Sequence, residues 1–78
     1  MNRLQIEKRL ANITAEYERD ESYTVADLAT SITMAMDAHD SADTSRGLAE
    51  LAFWGRELGD MELSRWALAA RQAVLKGI

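Results

Sequence analysis

The sequence predicts an all-α fold, a small antiparallel bundle of three to four helices that ends in a helical hairpin. The 78 residues contain no proline and no cysteine, and valine occurs only at Val25 and Val74. Strong helix formers such as alanine, leucine, glutamate and arginine dominate instead. Apolar residues recur at spacings of three and four, as on the buried face of a helix. A chain of this length forms one domain, residues 1–78.

The first half of the chain predicts two helices. The first is expected from about Asn2 to about Asp20, on an apolar stripe of Ile6, Leu10, Ile13 and Tyr17. The second is expected from Thr24 to near His39, with Thr24 and Asp27 forming a capping box and Tyr23 packing as a hydrophobic staple. Its stripe consists of Val25, Leu28, Ala29, Ile32, Ala35, Met36 and His39.

The second half predicts a loop and a hairpin. Residues 40–45 read DSADTS, which is typical of a polar loop, so the third helix is expected from about Ser45 to Leu58 with Asp43 or Thr44 as its N-cap. Gly59 is suited to close that helix in the left-handed conformation. Asp60 is suited to cap a fourth helix over residues 61–76. The short connection predicts an antiparallel hairpin.

The fourth helix has apolar residues on two sides. One stripe contains Leu63, Trp66, Ala67, Ala70 and Val74, and a second contains Met61, Leu68, Leu75 and Ile78. A single small bundle buries only one stripe, so the second predicts contact with another chain. We therefore expect a homodimer with Met61, Leu68, Leu75 and Ile78 at its interface.

Two segments resemble known helical motifs. The stretch Leu51-Ala52 to Leu58-Gly59-Asp60 resembles the hairpin unit of the tetratricopeptide family, which implies two antiparallel helices; only one such unit is recognisable, and it departs from the family at Ser64 and Arg71. The segment TVADLA, residues 24–29, resembles the first helix of a helix-turn-helix, which implies a nucleic-acid-binding transcriptional regulator. The acidic residues that follow, Asp37, Asp40 and Asp43, would repel phosphate, so direct nucleic-acid binding is the alternative function and not the expected one.

Candidate chemical sites are few. Asp37, His39, Asp40 and Asp43 are of types that bind metals, but their spacing matches no known metal motif, and a solvated acidic loop is the expected explanation. The pair Asp40-Ser41 resembles the carrier-serine motif of acyl carrier proteins, which implies an acyl-carrier role for Ser41 as a further alternative. The chain has one histidine and no nucleophile motif. We expect no enzyme activity, no cofactor and no resident metal.

Charge and polarity suggest a binding role inside the cell. The first ten residues have no apolar core, and the longest uncharged run, residues 28–36, is too short to span a membrane, so a cytoplasmic protein is expected. Residues 16–43 contain eight acids and one base. We therefore expect a non-catalytic protein-binding module, a small regulator or inhibitor of the bacterial or phage accessory type that docks on the basic surface of a larger protein. The expected partner-binding residues are Glu16, Glu18, Asp20, Glu21, Asp37, Asp40 and Asp43.

The adjacent aromatics of the third helix give one further expectation. Phe53 and Trp54 point about 100° apart on a helix, so both cannot be equally buried. Core packing is the expectation for these aromatics, and the exposure of one of the two as a binding anchor is the alternative.

Overall fold

A computed structural model describes all 78 residues as four α-helices. Their bounds are Arg3–Arg19 (α1), Tyr23–Asp37 (α2), Ser41–Glu57 (α3) and Met61–Leu75 (α4). The predicted all-α bundle ending in a hairpin is confirmed. None of the four helices combines the length and apolar character needed to cross a lipid bilayer.

The three connections share one design. Each helix ends in a residue with left-handed backbone, at φ values of 60° for Glu21, 55° for His39 and 77° for Gly59. The next residue donates its backbone N–H to the carbonyl five residues earlier, as in a Schellman motif: Ser22 to Tyr17, Asp40 to Ala35, and Asp60 to Gly55. That same residue is the N-cap of the following helix. One residue therefore closes one helix and opens the next, which makes every connection short.

The predicted polar loop at residues 40–45 is wrong. α3 begins at Ser41, and its N-cap is Asp40, whose side chain accepts from Asp43 N at 2.9 Å. The small polar residues after Asp40 form the first helical turn, where such side chains are well tolerated because unpaired N–H groups need acceptors. Thr44 is not a cap: it is buried, and its hydroxyl donates to Asp40 O at 2.7 Å.

Two details of α2 also differ from expectation. Its N-cap is Ser22, without a side-chain cap bond, and Tyr23 is exposed and forms no staple. His39 does not extend the apolar stripe, because its left-handed conformation turns the chain out of the helix and leaves the ring exposed. The Gly59 closure and the Asp60 cap are confirmed, with Asp60 Oδ1 accepting from Leu63 N at 3.1 Å.

A repeat of 38 residues organises the molecule. Arg3 and Ser41 begin helices of 17 residues, and Tyr23 and Met61 begin helices of 15 residues. All eight buried residues of the first hairpin have a buried counterpart 38 residues later. Those of the first hairpin are Ile6, Leu10, Ile13, Val25, Ala26, Ala29, Ile32 and Met36.

The two hairpins close into one bundle around a shared core. Successive helices pack antiparallel, and α1 meets α4 through Arg9 and Glu62 at 2.8 Å and through Tyr17 and Asp60 at 2.8 Å. The core combines buried residues from all four helices. The sequence indicated only one hairpin unit with a motif, whereas the structure has two that share their buried positions and form an approximate two-fold pattern.

Candidate interaction surfaces

The seven acids expected to bind a partner lie at opposite ends of the bundle. Glu16, Glu18, Asp20 and Glu21 lie in or just after the last turn of α1, whereas Asp37, Asp40 and Asp43 surround the junction of α2 and α3. Because α2 has 15 residues, these two ends are about 22 Å apart. The acids therefore do not form one continuous surface.

The acids around the α2–α3 junction are bound within the chain. Asp40 caps α3, Asp43 pairs with Arg46 at 2.8 Å, and Asp37 lies 3.5 Å from Arg3. Arg3 is the centre of this network. It donates to Glu7 at 2.7 Å and to the Met36 carbonyl at 3.1 Å, and its pKa is raised by the bond to Glu7. These contacts give the second acidic group a structural role.

The end of the bundle that contains Glu16 to Glu21 carries most of the negative charge. Residues 16–27 and 53–62 meet there, and they include eight acids and two bases. That end is therefore −6, and the remainder of the chain is +2 within the total of −4. Glu16, Glu18, Asp20 and Glu21 are all exposed.

A hydrogen bond ties the two hairpins together at this acidic end. The Tyr17 hydroxyl donates to Asp60 Oδ2 at 2.8 Å. Burial of the phenol, followed by this bond to a carboxylate, raises the pKa of Tyr17 to about 12. The same carboxylate caps α4, so Asp60 fixes both the start of α4 and its position against α1.

Exposed apolar side chains stand among these acids. Tyr23 is 57% exposed and Leu58 is 51% exposed, and both lie at the helix ends of the acidic end. Of the adjacent aromatics, Phe53 is exposed at 45%, whereas Trp54 packs against the core with its ring in edge contact with Phe53. The two aromatics are therefore unequally buried, as expected, and core packing holds for Trp54 but not for Phe53.

The second stripe of α4 lies on the surface, but the structure divides the four residues expected at a dimer interface. Met61, Leu68 and Leu75 form an exposed row along the outside of α4, spaced seven residues apart. Ile78 follows the helix-closing Gly77 and lines a cleft with Val74 and Arg3. Three of the four residues therefore share one face, and Ile78 lies elsewhere.

The cleft beside Ile78 is small. Its volume is about 80 Å³. The cleft lies on the approximate two-fold axis that relates the two hairpins, because its walls contain pairs of residues that are 38 positions apart. These pairs are Arg3 and Ser41, Met36 and Val74, and Asp40 and Ile78. Ligand pockets usually measure several hundred cubic ångströms. His39 borders this cleft, but no group of three or more His, Cys, Asp or Glu residues lies together as a metal site would require.

A groove between α2 and α3 has a filled equivalent in the other half of the molecule. The groove has a volume of about 250 Å³ and contains Leu28 and Gly47. The residues at the equivalent positions between α4 and α1 are Trp66 and Arg9, and the Arg9 guanidinium stacks 5.9 Å from the Trp66 ring. The gap between α2 and α3 is therefore open, whereas the side chains of Arg9 and Trp66 fill the equivalent gap between α4 and α1.

The sequence alone did not predict several of these contacts. The network of Arg3, the bond between Tyr17 and Asp60, and the stacking of Arg9 on Trp66 join residues that are far apart in the chain. The 38-residue repeat is the signal that could have indicated where these residues meet, because it predicts which faces of the four helices are in contact. The repeat is visible in apolar spacing and not in residue identity.

Comparison with known proteins leaves the family open. No protein-family model, no curated protein and no solved structure matches this chain. Its function is therefore inferred from its own geometry and charge.

Proposed function

We propose that this protein is a non-catalytic protein-binding module, a small regulator or inhibitor that docks on a basic surface of a larger protein. The observation that carries the proposal is the concentration of charge: one end of the bundle is −6, and the rest of the chain is +2. A field of one sign at one end steers a partner of opposite sign and orients it on approach. The docking residues are Glu16, Glu18, Asp20 and Glu21.

Exposed apolar groups within the acidic end support this proposal. Charged rims contribute mainly to association rate and specificity, whereas aromatic and aliphatic anchors contribute most of the binding free energy. Tyr23 adjoins the acidic connection after α1, and Leu58 lies at the end of α3. Together they supply an anchor inside an acidic rim, which suits a partner surface that combines lysine or arginine with an apolar depression.

The cleft around Arg3 favours a binding role over a catalytic one. The cleft near Arg3 is far smaller than a usual substrate pocket, and its basic group already contacts Glu7, Asp37 and a backbone carbonyl. The acids near that cleft are likewise engaged within the chain. Glu16, Glu18, Asp20 and Glu21 at the acidic end are exposed and form no ion pair within the chain, so their charges are free to meet a partner.

The test is quantitative affinity capture from a lysate of the source cells, with bound proteins identified by mass spectrometry. The binding variant is Glu18→Lys with Glu21→Lys, and the matched control is Asp43→Lys with Glu50→Lys, which changes the charge equally elsewhere. We expect a dominant partner that the control retains and the binding variant loses, with affinity falling as salt rises. Equal recovery with both variants, or capture of nucleic acid alone, would contradict the proposal.

A further inference from the structure

The repeat provides an internal control for the exposed row on α4. Leu68 and Leu75 are 45% and 56% exposed, and the residues at the equivalent positions of α2 are Thr30 and Asp37. The two helices have the same length and the same buried positions, so a polar residue suffices for folding at both sites. Folding therefore does not require leucine at these two positions, and exposed apolar rows of this kind mark contact surfaces.

We propose that this row pairs with the same row of a second copy, in an antiparallel arrangement about a two-fold axis at Leu68. Met61 and Leu75 lie seven residues on either side of Leu68, so the row is symmetric about its centre. Antiparallel pairing places Leu68 against the partner's Leu68 and Met61 against the partner's Leu75. A surface that is complementary to itself in this way is what a two-fold dimer needs.

Charge selects the antiparallel orientation over the parallel one. The Met61 end of α4 begins at the N-cap Asp60, whereas the Leu75 end carries Lys76. Antiparallel pairing about Leu68 sets Asp60 of each copy opposite Lys76 of the other. Parallel pairing would bring two ends of −6 together, which mutual repulsion disfavours.

α3 packs closely against α4 on the same hairpin. A Cβ on Gly55 would lie 2.8 Å from Ser64 N, so the two helices are in direct backbone contact at this position. Phe53 comes two residues before Gly55 and therefore lies about 200° from it around α3, on the side that faces away from α4. The proposed contact between copies is therefore limited to the row on α4.

The dimer surface and the docking surface are independent. Glu16 to Glu21 lie on the first hairpin, whereas the apolar row lies on the outside of α4. Each copy in the dimer keeps its own Glu16 to Glu21 group, so the proposed docking on a larger protein is compatible with pairing. Failure of one proposal leaves the other standing.

Disulfide crosslinking tests the pairing and its orientation, because the chain has no native cysteine. Leu68→Cys is expected to crosslink with itself under mild oxidation. Met61→Cys is expected to crosslink with Leu75→Cys in a mixture but not with itself, since the two Met61 positions would be about 21 Å apart and a disulfide needs Cα atoms within about 7 Å. Thr30→Cys, at the equivalent position of α2, is the matched control.

Two results would overturn the proposal. Leu68→Cys crosslinking no faster than Thr30→Cys would remove the contact at Leu68. Self-crosslinking of Met61→Cys, without a product between Met61→Cys and Leu75→Cys, would replace the antiparallel arrangement with a parallel one. Sedimentation equilibrium of the native sequence gives a check without cysteine: a dimer is expected, with Leu68→Thr shifted to monomer, and a native protein that stays monomeric at all concentrations would also overturn the proposal.

Discussion

The two hairpins of this molecule share their buried positions but differ in the residues that they expose to solvent. Their helices have the same lengths, and the eight buried positions of the first hairpin are all buried in the second. Their outer faces differ at two equivalent positions: Thr30 and Asp37 on α2 stand where Leu68 and Leu75 stand on α4. The comparison separates residues that build the bundle from residues that the bundle does not need, and the second kind are the candidates for function.

Substitutions in the core test whether the hairpins are equivalent inside. Leu10 and Leu48 are fully buried at equivalent positions. We expect Leu10→Ala and Leu48→Ala each to lower the free energy of unfolding by about 3 kcal/mol, because each leaves a cavity among packed neighbours. Urea denaturation followed by circular dichroism measures both losses. If one variant were nearly neutral, the hairpins would not share a core in the way the repeat suggests.

Close helix packing is the largest internal difference between the hairpins. Gly55 lets α4 approach α3, whereas Tyr17 stands at the equivalent position of α1. Gly55→Ala is expected to cost about 2 kcal/mol of stability, because its Cβ would meet backbone atoms that cannot rotate away. Ala69→Gly, at an exposed position of α4, is the control, because it measures the difference in helix propensity between alanine and glycine without a change in packing. A stabilised Gly55→Ala variant would show that the approach is not close.

Helix capping distinguishes the three connections. Asp60 and Asp40 accept a backbone N–H through their side chains, whereas Ser22 does not. Asp40→Ala is expected to lose about 1 kcal/mol, Asp60→Ala somewhat more because it also loses Tyr17, and Ser22→Ala only a few tenths. Thermal unfolding of the three variants ranks them. A loss at Ser22 as large as that at Asp40 would contradict the capping assignment.

The bond between the hairpins makes stability depend on alkaline pH. The pKa of Tyr17 is raised in the folded state from 10.0 to about 12, so folding favours the protonated phenol. Its contribution is complete below the unfolded pKa and is lost as pH rises through the folded pKa, because only the unfolded chain ionises in that window. Tyr17→Phe is expected to reduce this decline, measured as the free energy of unfolding against pH. An identical decline in that variant would remove Tyr17 as its cause.

The sequence predicts the fold well because periodicity encodes it directly. The stripe of α1, the left-handed Gly59 and the Asp60 cap are local signals, and all three are confirmed. The predicted loop at residues 40–45 failed because loop-like composition also suits a first helical turn once Asp40 serves as the cap. Composition alone cannot distinguish these two uses of small polar residues.

The surfaces were less predictable, since they depend on which distant residues meet. Glu21 and Asp37 are close in sequence, yet α2 separates them by about 22 Å. Ile78 continues the spacing of Leu75 in the sequence, but Gly77 ends the helix and turns Ile78 toward Arg3. Helical spacing predicts a shared face only while the helix continues.

The central claim, that the outer row of α4 exists for pairing and not for folding, is tested most directly by the concentration dependence of unfolding. The native protein is compared with the variant Leu68→Thr and Leu75→Asp, which carries the residues of the equivalent α2 positions. Because subunit association stabilises the folded state by mass action, the denaturation midpoint of the native protein is expected to rise with protein concentration. The variant is expected to fold with a midpoint that does not change. A native midpoint independent of concentration, or a variant that fails to fold, would contradict the claim.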